Sequence, residues 1–152
     1  MFVYNNPMTD EKDLYYVAIK VLLRDGNNLL IVHDIFGEWE IPGGRILKSE
    51  FSVPLEKVLE RKIREELGPS VQYKVGKPVT FFRVERIEQT DPPKQIRIFG
   101  IGFEAEYLSG EITLGKHHDK FEWVDVTTFQ PEKYMTTGWL EGIQEYLEYL
   151  RK

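Results

Sequence analysis

The chain has 152 residues, enough for one domain with a sizeable core spanning residues 1–152. Hydrophobic residues make up 41% and charged residues 30%, an ordinary globular balance, and no apolar run is long enough to cross a bilayer. Cysteine is absent, which excludes disulfides, thiolate catalysis and cysteine-bound zinc, and a formal net charge of −5 argues against nucleic acid as a partner.

The opening stretch MFVYNNPMTDEKD has no basic start followed by an apolar segment, so no secretory signal is visible and a cytoplasmic setting, away from membranes, is expected. Its aromatic residues Phe2 and Tyr4 are candidate contacts for a homodimer. Residues 15–23 alternate and are rich in β-branched and aromatic types, which predicts a strand. Asp25-Gly26-Asn27 marks a turn, and residues 29–32 predict the returning strand. The segment 37–44, with Pro42 and several glycines, predicts an irregular loop.

From Pro54 to Leu67, Leu55, Val58, Leu59, Ile63 and Leu67 share one helical face, while charged residues cover the rest. Pro54 suits the first turn and Gly68 the stop. Two β-like runs follow at 79–87 and 95–107, joined by a hairpin loop at 89–94. A short strand is predicted at 121–124, then a turn at 126–131. Trp139, Leu140, Ile143, Tyr146, Leu147 and Leu150 give the tail the spacing of an amphipathic helix. The order strands, helix, strands, helix predicts an α/β (α+β) fold with a mixed sheet sandwiched between helices.

The chemistry concentrates in Trp39-Glu40-Ile41-Pro42-Gly43-Gly44-Arg45, then Glu50, then the run Arg61 to Gly68. Gly43 and Gly44 allow the backbone to approach an ion or a phosphate. Glu65 and Glu66 stand near a helix C-terminus, where the macrodipole already disfavours negative charge. Either they are solvated surface residues or they hold a divalent cation.

This segment resembles the Nudix box. Gly44 and Glu50 have the family spacing, Arg61, Ile63, Glu65, Glu66 and Gly68 match its second half, and Trp-x-x-Pro-Gly-Gly resembles the usual approach. The resemblance implies a Nudix hydrolase that uses Mg2+ or Mn2+ and acts on a nucleoside diphosphate derivative. Two departures stand out. Ten residues separate Glu50 from Arg61 rather than seven, which predicts a helix start longer by nearly one turn. Lys62 occupies the place of a metal-binding glutamate. It lies one helical turn from Glu66, so it is either a plain surface Glu–Lys helix pair or an ammonium that pairs with that carboxylate and occupies space a second cation would fill. One principal ion is expected, held by Glu66, the Gly44 carbonyl and, as a further candidate, Glu65, which is also a candidate catalytic residue.

His117 and His118 are adjacent in Lys116-His117-His118-Asp119, expected as a loop ahead of the short strand. In extended chain their side chains point opposite ways. They are open to two readings, exposed loop residues or a general base. The stretch resembles a loop of the GDP-mannose mannosyl hydrolase branch of the family. That branch also shares Gly-Gly-Arg-Ile and lacks the glutamate replaced by Lys62. The resemblance implies His118 as general base, His117 at a metal-ligand position and Arg45 assisting the departing diphosphate. The implied substrate is a nucleotide-sugar. The alternatives are a pyrophosphatase for ADP-ribose, dinucleoside polyphosphates or nucleoside triphosphates, and a degenerate ligand-binding domain. Arg83, Arg86 and Arg97 on the central hairpin are either phosphate contacts or surface ion pairs.

Overall fold

A computed structural model describes residues 9–152; the arm with Phe2 and Tyr4 lies outside them. In chain order the strands are β1 Tyr16–Asp25, β2 Asn28–Asp34, β3 Trp39–Glu40 and β4 Gly43–Arg45, followed by helix α1 Leu55–Leu67. Then come β5 Gln72–Glu88, β6 Lys94–Ser109, β7 His118–Asp125 and helix α2 Thr137–Leu150, with short 3-10 turns at Lys48–Glu50 and Pro131–Lys133.

The strands form one mixed sheet in the order β3-β2-β1-β6-β5, with β4 paired to β1 and β7 paired to β2. β1 runs parallel to β6 from Tyr16 to Arg24, and β5 and β6 make a long antiparallel hairpin. Alternation along β1 separates two cores. Ala18 and Leu22 pack with Phe82, Ile143, Tyr146 and Leu147 on the α2 side. Ile19, Val21 and Leu23 pack with Val58, Leu59, Ile63 and Leu67 on the α1 side. The two helices therefore cover opposite faces, and the mixed α+β architecture matches the sequence expectation.

Several boundaries differ from that expectation. The supposed loop 37–44 contains all of β3 and the start of β4. β5 begins at Gln72 rather than 79, because Gly76 and Pro78 fall at register shifts that break the period-two pattern. β7 starts at His118, so this residue opens a strand instead of preceding one. The residues inserted after Glu50 form the turn 51–53, and α1 begins only at Leu55 behind Pro54. They do not lengthen the helix start. Gly68 ends α1 at φ 93, and its N–H donates to the Arg64 carbonyl, a conformation that favours glycine.

Candidate active site

The site follows from a change of partner along β1. Near its end, Arg24 and Asp25 pair with β2, whereas Ala18, Ile19 and Lys20 pair with β4. The sheet splits there, and the glycine turn runs along the opening. Gly43 has φ 131 and lies so close to Ile19 and Lys20 that a side chain has no room. Lys20 is only 4% exposed, although it carries a charge. Its ammonium donates to the carbonyls of Ile41 at 3.0 Å and Gly43 at 3.3 Å and lies 4.7 Å from the Trp139 ring centre. A buried cation of this kind persists because carbonyl dipoles and an aromatic face replace its water.

Glu66 projects from the last turn of α1 beneath the glycine turn. It is 6% exposed, and its Oε1 accepts the Gly43 N–H at 3.1 Å. His118 enters from the start of β7 with its side chain 2% exposed. Its Nε2 lies 2.7 Å from Glu40 Oε1. A carboxylate only accepts, so Nε2 is the protonated nitrogen. Nδ1 faces Glu66 Oε1 at 3.9 Å and is the one buried side-chain N or O atom without a hydrogen-bond partner among the described residues. An orphaned buried polar atom is costly and points to a missing partner. Burial alone would lower the His118 pKa, but the Glu40 hydrogen bond and the Glu66 charge outweigh it and hold the imidazole above its ordinary value. The Glu40 carboxyl is pushed up by burial but held below its usual range by the charge of Lys20 and the His118 bond.

Glu65 points elsewhere. Its side chain is 49% exposed and pairs with Arg61 at 3.0 Å and Lys62 at 3.2 Å. Arg61 also makes two 2.7 Å bonds to the Glu50 carboxylate and donates to the Arg45 carbonyl at 3.3 Å. Arg61 and Glu50 thus tie the helix to the segment that follows the glycine turn. The Lys62 ammonium lies 3.3 Å from Glu66 Oε2.

Of the other sequence candidates, Gly44, Arg45 and His117 line the same cleft, whose volume is about 180 Å³. His117 is exposed. Arg45 pairs with Glu88 at 2.7 Å and lies over the Tyr16 ring. Arg83 and Arg97 are not brought there. Arg83 reaches the Tyr15 hydroxyl, and Arg97 bonds to Asp13 and Glu85 at the far side of the hairpin. Arg86 lines the cleft instead, and its charge acts on both Glu40 and Glu88. Glu40, Lys20 and Trp139 are the site residues that sequence reading passed over.

Residues 14–140 match the family described as NUDIX domain. The chain belongs to the Nudix family. Its fold is similar to that of the MutT protein from Methanosarcina mazei Go1, with a TM-score of 0.75 at 17% identity over 94% of this chain and 100% of that one. It is also similar to an ADP-ribose pyrophosphatase from Streptococcus suis 89-1591, with a TM-score of 0.65 at 14% identity over 91% and 94% of the two chains. A UDP-X diphosphatase gives a TM-score of 0.61 at 16% identity, covering 94% of this chain and 67% of that one. No curated protein matches the sequence. As a Nudix protein the chain is a hydrolase.

Nudix hydrolases generally use divalent metals, and the residues present fit one. Glu40, Glu66 and His118 offer ligand atoms all within 4.8 Å of one another. The two carboxylates suit magnesium or manganese, whereas an imidazole ligand is foreign to magnesium and better tolerated by the softer manganese. No helix among the described residues is long and apolar enough to cross a membrane.

Proposed function

We propose that this Nudix hydrolase cleaves a nucleotide-sugar, with His118 as the general base. The observation that carries the reading is the bare Nδ1 of His118. It is buried, unpartnered and turned toward Glu66, while Glu40 holds the opposite nitrogen in its protonated form. This is how a carboxylate orients an imidazole for proton abstraction, and it stabilises the imidazolium that forms.

Glu66, the Gly44 backbone and Glu40 would hold a divalent ion, leaving His118 Nδ1 uncoordinated and free to take a proton. The ion would supply charge neutralisation for the diphosphate. His118 Nδ1 takes a proton from water as the water oxygen bonds to the anomeric carbon. The bond from that carbon to the diphosphate oxygen breaks, and its electron pair leaves with the nucleoside diphosphate. Arg45 and Arg86 at the cleft wall meet the negative charge that develops there. Arg45 is held by Glu88 at 2.7 Å in a part-buried pair and would have to leave it to reach the departing diphosphate.

The combined resemblance of Gly43-Gly44-Arg45-Ile46, Lys62 and His117-His118-Asp119 to the GDP-mannose mannosyl hydrolase branch supports attack at carbon. A second reading has attack at phosphorus, as in a pyrophosphatase, and the name of the Streptococcus suis neighbour favours it. Hydrolysis of a panel of nucleotide-sugars and ADP-ribose in oxygen-18 water separates them. Label is expected in the released sugar. Label in a phosphate product overturns the sugar reading in favour of the second, and absence of turnover with both Mg2+ and Mn2+ leaves only a binding domain.

A further inference from the structure

We propose that the Lys62 ammonium is a tethered cation that permanently fills the space between Glu65, Glu66 and Gly44, so that the cleft loads a single divalent ion through Glu66 without Glu65. The inference deepens the metal-dependent reading above and rests on it. Its test reads ion binding, which is independent of which bond is cut.

The ammonium lies 3.2 Å from Glu65 Oε2 and 3.3 Å from Glu66 Oε2, so it bridges one oxygen of each carboxylate. On its third side is the glycine turn. A Cβ built on Gly44 would lie 2.5 Å from Lys62 Cε and 2.8 Å from Nζ, so the lysine tip occupies the space that a side chain there would take. Lys62 is enclosed, with its side chain 17% exposed, unlike Lys57 on the same helix at 68%. A monovalent point charge with three donors is well matched to two carboxylates and has no acceptor with which to bind a metal.

Two consequences follow. The Oε2 side of Glu66 is already neutralised, which leaves Oε1, the oxygen facing His118, to meet a divalent ion. Glu65 is engaged twice, by Arg61 and by Lys62, and burial effects on its carboxyl are outweighed by those two bonds. A cation entering between Glu65 and Glu66 has to displace an ammonium that cannot diffuse away, at an effective concentration set by its four-carbon stem.

The experiment is Mn2+ titration of the purified full chain without substrate, with free Mn2+ read by electron paramagnetic resonance and the heat by calorimetry. Wild type is expected to bind one ion. Lys62→Glu, which replaces the ammonium with a carboxylate, is expected to bind two. Lys62→Met, a volume-conserving change that tests the charge alone, is expected to tighten binding by about tenfold or more. Glu66→Gln is expected to abolish binding, and Glu65→Gln to change affinity by less than about threefold in the wild-type background. Circular dichroism checks that each variant is folded, and Lys62→Met carries the test if Lys62→Glu is not. Two ions in wild type, or unchanged stoichiometry and affinity in both Lys62 variants, overturns the proposal. Equal losses from Glu65→Gln and Glu66→Gln also overturn it.

Discussion

Two regions of this molecule gather arginines and carboxylates around a hollow, and they differ in almost everything else. The groove formed by Asp13, Tyr15, Arg83, Glu85, Arg97 and Glu141 is the larger, at about 500 Å³. Its charges are exposed, and Arg97 is satisfied twice over by Asp13 and Glu85. The cleft at the glycine turn is only about 180 Å³, but Lys20, Glu66 and His118 are all buried in it and one ring nitrogen is left without a partner. Solvent screens and entropy dilutes the ion pairs of the first region. Desolvation strengthens every interaction in the second and makes an unmet hydrogen bond expensive. We take buried, incompletely paired charge, rather than size, as the mark of the reactive hollow.

The largest expected effect breaks this comparison on the side of the cleft. His118→Ala is expected to lower turnover by roughly 100-fold or more, the usual contribution of a positioned general base, while circular dichroism stays native-like and the melting temperature falls because Glu40 loses its 2.7 Å donor. Steady-state kinetics on the substrate found by product analysis checks it. Wild-type turnover in that variant removes His118 from the mechanism. Loss of fold instead of activity would mean that the Glu40–His118 pair is a structural strut.

A smaller effect sharpens the comparison between structure and chemistry within the box. Glu50 does not line the cleft; its two oxygens receive Arg61, and one also takes the Leu47 N–H. The Arg61 and Leu47 bonds hold its carboxyl below the ordinary glutamate value of 4.5. A folded-state pKa that lies below the unfolded one contributes stability that is fully present above the unfolded value. That stability is lost as pH falls through the folded value. Thermal unfolding followed from pH 7 to about pH 3 is therefore expected to show a Glu50 contribution that fades below about 4.5, the unfolded value. Glu50→Gln should lower the melting temperature at neutral pH and flatten the acid limb. An acid limb as steep in the variant as in wild type would assign acid sensitivity to other carboxylates.

The same contrast explains what could be read from the amino acids alone. Gly44, Glu50, Arg61 and Glu66 were legible because one turn and one helix bring them together, and spacing within such elements is nearly geometry. Glu40 and Lys20 were not. Lys20 sits inside the apolar run of β1, and its burial against β4, the Ile41 and Gly43 carbonyls and the Trp139 ring is a tertiary event. On the hairpin, Arg86 lines the cleft while Arg83 and Arg97 do not, for a different reason. From Thr80 onward β5 keeps its register, so Arg86 shares parity with buried Phe82 and Val84 and points toward the cleft side, whereas Arg83 and Glu85 point away. That parity was present in the sequence. Glu65 stood beside Glu66 as a further ligand candidate, yet adjacent helical residues stand about 100° apart, and only Glu66 turns inward.

The smallest expected effect tests the groove itself. Arg97 pairs across the hairpin with Glu85, its register neighbour, and reaches Asp13 ahead of β1. All three side chains are about half exposed, a setting in which solvent screening leaves ion pairs little net effect on stability. Arg97→Ala is expected to change turnover by no more than about twofold and the melting temperature only slightly, with the difference shrinking further as salt is added. Kinetics and thermal unfolding at low and high ionic strength give both numbers from one preparation. A loss of turnover comparable with that of His118→Ala would place a substrate phosphate in the larger groove, and the rule that buried, unpaired charge marks the chemistry would fail for this protein.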